Sequence, residues 1–167
     1  MTTDTATDWT LRRATMADLD SIMGIESTTF GSDAWSKASM RSELANPHTW
    51  YLVATDPAEP KVTAGYAGLL APRSSLQSDI QTIAVAESAR RRGLGRTLML
   101  ALIAEASARG AGEVFLEVRA DNPGAQALYL SLGFEELAVR KNYYQPDGVD
   151  AIIMRLALTR VSTAVGA

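Results

Sequence analysis

A chain of 167 residues fits one domain and leaves little room for two. With 47% hydrophobic and 21% charged residues it carries enough apolar side chain for a packed core, yet no apolar run reaches the roughly 18 residues that span a bilayer. A formal net charge of −3 argues against a life on phosphate backbones, the lack of cysteine excludes disulfides, thiolate metal sites and a cysteine acyl-enzyme, and a single histidine leaves little for a zinc site or a Ser–His–Asp triad.

Residues 1–8 are small and polar and read as a disordered start, with neither the basic nor the apolar region of a secretory signal, so a cytoplasmic protein is expected. Thr10 to Ala14 reads as a short strand, and Thr15 as the N-cap of a helix over Ala17 to Phe30. Ser36, after Trp35, caps a second helix that must end before Asn46-Pro47, because the residue before proline leaves helical space. His48, beside Pro47, is a loop residue with no assigned role. Strands follow at Trp50 to Ala54 and Val62 to Leu70, joined by a turn through DPAEPK, and a third runs from Asp79 to Val85. Leu94, Leu98, Leu102 and Ala106 recur every fourth residue and predict a helix to Arg109, closed by Gly110. Val114 to Arg119 is a strand, Asn122-Pro123 opens a short helix through Leu132, and Phe134 to Val139 and Ala151 to Leu158 are the last strands. This order predicts a mixed α/β (α+β) fold around one sheet, a single domain over residues 9–158 with a flexible tail at 159–167.

The segment ARRRGLGR, residues 89–96, lies between a strand and the most periodic helix. Gly93 and Gly95 permit positive φ and close approach of a ligand. The amides that open the helix have no intrahelical partner, and with the helix dipole behind them they form an anion site. Three adjacent arginines add positive charge, so the segment asks for a phosphate-bearing ligand; a solvated basic turn is the plainer alternative. The spacing lacks the Lys-Ser/Thr of a P-loop and the third glycine of a dinucleotide fingerprint.

Glu117 interrupts an apolar strand, where glutamate is depleted. Read alone, it is a surface carboxylate paired with Arg119 on the same strand face. Asn122 alone reads as a helix cap, and Tyr129, seven residues on and on a similar helix face, as a core tyrosine with its hydroxyl at the rim.

Taken together, Ile83-Ala84-Val85 followed by Arg90-x-x-Gly93-x-Gly95 at a helix start resembles the acetyl-CoA site of the GNAT acetyltransferases. The stretch LEVRADN…A-x-x-LY-x-SLGF, the later Arg140-x-Asn142-Tyr143-Tyr144 and Asp150-Ala151-x-x-Met154, and the upstream Trp35, Glu43-Leu44 and Tyr51 resemble its RimI-type branch, the ribosomal-protein-alanine N-acetyltransferases. The resemblance covers most of residues 10–157. It implies the GNAT fold, a mostly antiparallel mixed sheet of about six or seven strands with about four helices on both faces. It implies acetyl-CoA as co-substrate, with Ile83, Ala84, Val85, Arg91, Arg92, Gly93, Leu94, Gly95, Arg96 and Asn122 as its binding residues. By the same resemblance Glu117 is the general base and Tyr129 the general acid, and the acceptor is an N-terminal alanine of the small-subunit ribosomal protein S18.

The chemistry suits these groups. An N-terminal amine, with a pKa of about 8, needs a smaller push to neutrality than a lysine near 10.4. A carboxylate takes that proton, a tyrosine protonates the leaving thiolate, and a backbone amide of the Ile83–Val85 strand stabilises the oxyanion. Direct transfer in a ternary complex is expected, without a metal. Asp79 and Glu43 offer negative charge to a cationic peptide, while Trp35, Tyr143 and Tyr144 shape a small N-terminal pocket. The expected partner is a protein or peptide with a free N-terminal amine, not nucleic acid or membrane, and the expected state is a monomer. Acetylation of lysines or small amines, or a catalytically silent acetyl-CoA-binding module, are the competing readings; a silent module has no use for both Glu117 and Tyr129.

Overall fold

The computed structural model describes residues 8–158. The stretches expected to be disordered or loose lie outside the described residues, except Asp8. Seven strands, β1 (Thr10–Arg13), β2 (Thr49–Asp56), β3 (Glu59–Leu70), β4 (Gln77–Val85), β5 (Glu113–Arg119), β6 (Glu135–Tyr144) and β7 (Val149–Ala157), form one sheet in the order β1-β2-β3-β4-β5-β7-β6. All neighbours are antiparallel except β4 and β5. Four α-helices cover it: α1 (Leu19–Phe30), α2 (Lys37–Ala45), α3 (Leu94–Ala108) and α4 (Pro123–Ser131). The mixed α/β expectation holds.

The alternation of strand side chains divides the core in two. In β2, Tyr51 and Val53 pack with Leu19 and Ile22 of α1 and Met40 of α2. Leu52 and Ala54 face the other way, into a larger cluster with Leu94, Leu98, Met99, Leu102 and Ala106 of α3 and Tyr129 of α4. The four-residue repeat in α3 is thus the stripe that the sheet buries. The caps follow the sequence: Ser39 N donates to Ser36 Oγ at 3.1 Å, Ala125 N to Asn122 Oδ1 at 3.2 Å, and Gly110 closes α3 at φ 88°.

Three elements depart from expectation. The first helix opens with a 3-10 turn, Met16–Asp18, before α1. Thr15 N and both terminal nitrogens of Arg12 donate to the Asp18 carboxylate at 2.7–2.8 Å and hold that turn tight. The turn expected over residues 56–61 shrinks to Pro57 and Ala58, because β3 tolerates Pro60 where bulges break its register with β2. β6 runs past Val139 to Tyr144: as an exposed edge strand it carries polar residues without losing its pairing. A bulge at Asn142, φ 53°, whose N–H donates to Asp150 Oδ1 at 2.9 Å, makes that extension possible.

The parallel contact positions the site. β4 meets β5 over three residue pairs only: Gln77 with Glu113, Ser78 with Val114, Asp79 with Phe115. Beyond Asp79, β4 continues against β3 to Val85 and β5 against β7 to Arg119, so the two strands diverge and the sheet opens into a V.

Candidate active site

The V is a cavity of about 870 Å³, walled by β4 from Ile80 to Val85 and by β5 from Leu116 to Arg119. On β4, Ala86 N donates to Ala64 O of β3 at 2.8 Å. Strand amides alternate sides, so the N–H groups of Ile83 and Val85 point away from β3, into the gap. The Val85 carbonyl already accepts from Arg90 Nε at 3.2 Å. An extended chain bearing amides can add to this open edge as a strand would.

The glycine turn stands at one end of the V and opens α3. Gly93 has φ 78°, and nothing lies within 4 Å of where its Cβ would be. The N-terminus of α3 stands behind it, and its first amides have no partner within the helix. The other residues of the turn divide differently from expectation. The second left-handed residue is Arg91, φ 64°, not Gly95. Gly95 is small because α4 comes close: a Cβ there would stand 3.4 Å from Leu128. Leu94 is 1% exposed and belongs to the core, so only its backbone can meet a ligand. Arg92 is occupied by Asp56 at 2.7 Å and by the Trp9 ring at 4.5 Å, and Arg96 donates to Ser131 Oγ at 2.6 Å. Arg91 alone of this run makes no side-chain hydrogen bond or ion pair among the described residues, so the positive charge of the turn is partly spent inside the fold.

Glu117 and Tyr129 both line the V, from β5 and from α4. The pairing of Glu117 with Arg119 does not occur. Arg119 turns to Asp33, Asp121 and Asp147, and the nearest cation to Glu117 is Arg140 of β6, at 3.9 Å. Hydrogen bonding to Glu117, and then its negative charge, raise the Tyr143 phenol above its ordinary pKa. Tyr129 is 7% exposed, and its hydroxyl has no hydrogen-bond partner among the described residues. Among the described residues no fully buried side-chain polar atom lacks a partner, so that hydroxyl opens onto the cleft. Burial, and then the neighbouring Tyr144, push its pKa up to about 12, so it is a neutral donor at physiological pH. Asn122 caps α4 and also lines the V.

A second cavity, of about 830 Å³, adjoins the first and shares Glu117, Asp33, Trp35 and Tyr144 with it. Trp35, Asp79, Tyr143 and Tyr144, scattered over the sequence, all line it. Partial burial, and then the charge of Glu117, raise the pKa of Asp79. Unforeseen in the sequence is Glu26 of α1, 1% exposed beneath the V. It accepts from Trp35 N at 3.2 Å, from Thr82 Oγ1 at 3.4 Å and from the Tyr66 hydroxyl. Nothing in its local pattern distinguishes it from the exposed acids of a helix.

Residues 19–134 match the acetyltransferase (GNAT) family. The chain belongs to that family. As a GNAT protein it is an acyltransferase, and its relatives narrow the branch. It is similar to the N-alpha-acetyltransferase RimI of Mycobacterium tuberculosis, with 39% identity over 158 residues, 93% of this chain and 96% of that one. It is 48% identical over 85 residues, half of this chain and 57% of the other, to the ribosomal protein bS18-alanine N-acetyltransferase of Escherichia coli K12. The crystal structure of the ribosomal-protein-S18-alanine N-acetyltransferase from Escherichia coli superposes with a TM-score of 0.82 at 32% identity, over 95% of this chain and 99% of that one. This GNAT chain therefore shares both fold and branch with the RimI-type enzymes, as its motifs imply.

Proposed function

We propose that the protein is an acetyl-CoA-dependent N-α-acetyltransferase that acetylates an N-terminal alanine of a ribosomal protein of the S18 type, with Glu117 as general base and Tyr129 as general acid. The observation that carries the reading is the entry of these two side chains into one V-shaped cleft whose open strand edge ends at the N-terminus of α3. The residues present fit the co-substrate. The amides opening α3 at Gly93 would hold the pyrophosphate, and the β4 edge at Ile83 and Val85 would pair with the pantetheine amides. The bound thioester supplies the activated acetyl group.

Within this site Glu117 takes the proton of the acceptor ammonium, directly or through water, and leaves a neutral amine as nucleophile. A backbone N–H of the Ile83–Val85 strand not taken by the pantetheine arm stabilises negative charge developing on the carbonyl oxygen. Tyr129 donates its proton towards the departing sulfur, a role its high pKa permits at neutral pH. Transfer is direct, in a ternary complex, since no protein nucleophile is called for. The second cavity takes the acceptor: Trp35, Tyr143 and Tyr144 bound it, and Asp79 and Glu117 favour a cationic end.

The test is mass spectrometry of a peptide with a free N-terminal alanine and one internal lysine, incubated with enzyme and acetyl-CoA beside an N-terminally blocked control. Acetylation of the α-amine only is expected. Acetylation of lysine, or of both peptides, would move the protein to the lysine-directed members of the family.

A further inference from the structure

Arg119 is the most connected charged side chain of the cleft. It leaves the C-terminal end of β5 and meets carboxylates from three separate segments. Asp33 belongs to the 3-10 turn Gly31–Asp33 between α1 and α2, Asp121 to the approach to α4, and Asp147, at 3.3 Å, to the turn between β6 and β7. Its guanidinium also lies 5.0 Å from the centre of the Tyr144 ring. Asp33 and Tyr144 line both cavities, whereas Arg119 and Asp147 line only the V. The group that ties the two turns together therefore lies in the V beside Asp33 and Tyr144, which line both cavities.

We propose that Arg119 is a positioning residue that braces the Gly31–Asp33 turn against the β6–β7 turn and so sets the shape of the passage by which the acceptor reaches Glu117. The inference rests on reading the second cavity as the acceptor site. A guanidinium is suited to the task, because its planar fork serves several carboxylates at once and stacks on an aromatic ring, whereas a lysine ammonium has no such fork. Asp33 and Asp147 have no direct contact with each other that would hold the turns without it, among the described residues. Asp121 lines neither cavity, so its ion pair with Arg119 secures the guanidinium without touching the passage.

The experiment has two readouts on the full chain. Hydrogen exchange of wild type and Arg119→Ala follows residues 31–36 and 145–148 and needs no substrate. Steady-state kinetics follow the α-amine peptide and acetyl-CoA separately. The expected result is faster exchange in both turns together, a KM for peptide raised about five- to ten-fold, and kcat and the KM for acetyl-CoA within about two-fold of wild type. Arg119→Lys should restore only part of the peptide KM, Asp147→Asn should raise it in the same direction, and Asp121→Asn, which removes a partner outside both cavities, should raise it less than Asp147→Asn does. Unchanged exchange in either turn overturns the brace. Faster exchange with an unchanged peptide KM, or an equal rise in Asp121→Asn, overturns its link to the acceptor. If Arg119→Ala does not fold, Arg119→Lys and Asp147→Asn carry the same comparisons. A wild-type enzyme inactive on α-amines refutes the proposed acceptor, while the exchange data still decide the brace.

Discussion

The Tyr66 hydroxyl of β3 donates to the buried carboxylate of Glu26 in α1, across forty positions of sequence. Glu26 in turn accepts from Trp35 N at 3.2 Å, so one carboxylate joins the sheet, the first helix and the segment that leads to α2 beside the cleft. Burial, and then hydrogen bonding to Glu26, hold the Tyr66 phenol far above its ordinary pKa.

Tyr66→Phe leaves that carboxylate short of a donor in a buried site. A lost hydrogen bond to a charged group costs about 1.5–3 kcal/mol, and a loss of stability in that range is expected from urea denaturation. Glu26→Gln removes the charge and makes the second loss smaller, so the double variant should fall short of the sum of the singles. Strict additivity would show that the two groups do not act as a unit.

Glu117→Gln should lower turnover by roughly 10²–10⁴-fold while acetyl-CoA binds as before, because the proposed role of the carboxylate is proton transfer and not cofactor contact. Tyr129→Phe should do the same, less severely where water can protonate the thiolate. Stopped assays give the rates and isothermal titration the binding; full turnover in both variants would strip these residues of their roles.

Burial raises Tyr129 from the ordinary value of 10.0 to about 12. A group whose folded pKa is raised contributes stability that is present below its unfolded pKa and is lost as pH climbs through the folded one. This contribution therefore persists to about pH 10 and disappears towards 12, and turnover should not fall through ionisation of this phenol below about pH 10. Spectrophotometric titration of wild type and Tyr129→Phe reads the assignment directly: the variant should lose one late-ionising phenol.

Two glycines should fail for opposite reasons. At Gly68 a Cβ would stand 2.3 Å from the buried Tyr51 ring, so Gly68→Ala overpacks the core, at about 1–3 kcal/mol. At Gly93 there is open space, and only the left-handed φ resists a side chain, at about 1–2 kcal/mol. Gly93→Ala should weaken acetyl-CoA binding more than Gly68→Ala does, since it bends the turn that would carry the amides. Thermal melts and cofactor titration separate the two.

Much of the fold is written in local pattern. The α3 stripe, the Ser36 and Asn122 caps and the alternation of β2 each follow from one segment and its immediate physics, and the structure keeps them. The ends of β3 and β6 were less legible, because an edge strand and a bulged hairpin draw their stability from partners that the segment does not contain.

The sequence by itself determined the family and the glycine turn, and named Glu117 and Tyr129 as candidates, because each lies in a contiguous motif whose residue types carry their chemistry with them. Only the tertiary structure decided which partners those residues keep. It gave Arg119 to Asp33 and Asp147 instead of Glu117, Arg92 to Asp56 and Trp9, and Glu26 to Tyr66. The reason is physical: a charge selects its partner by distance and burial, and both are fixed only when the sheet has brought distant segments together.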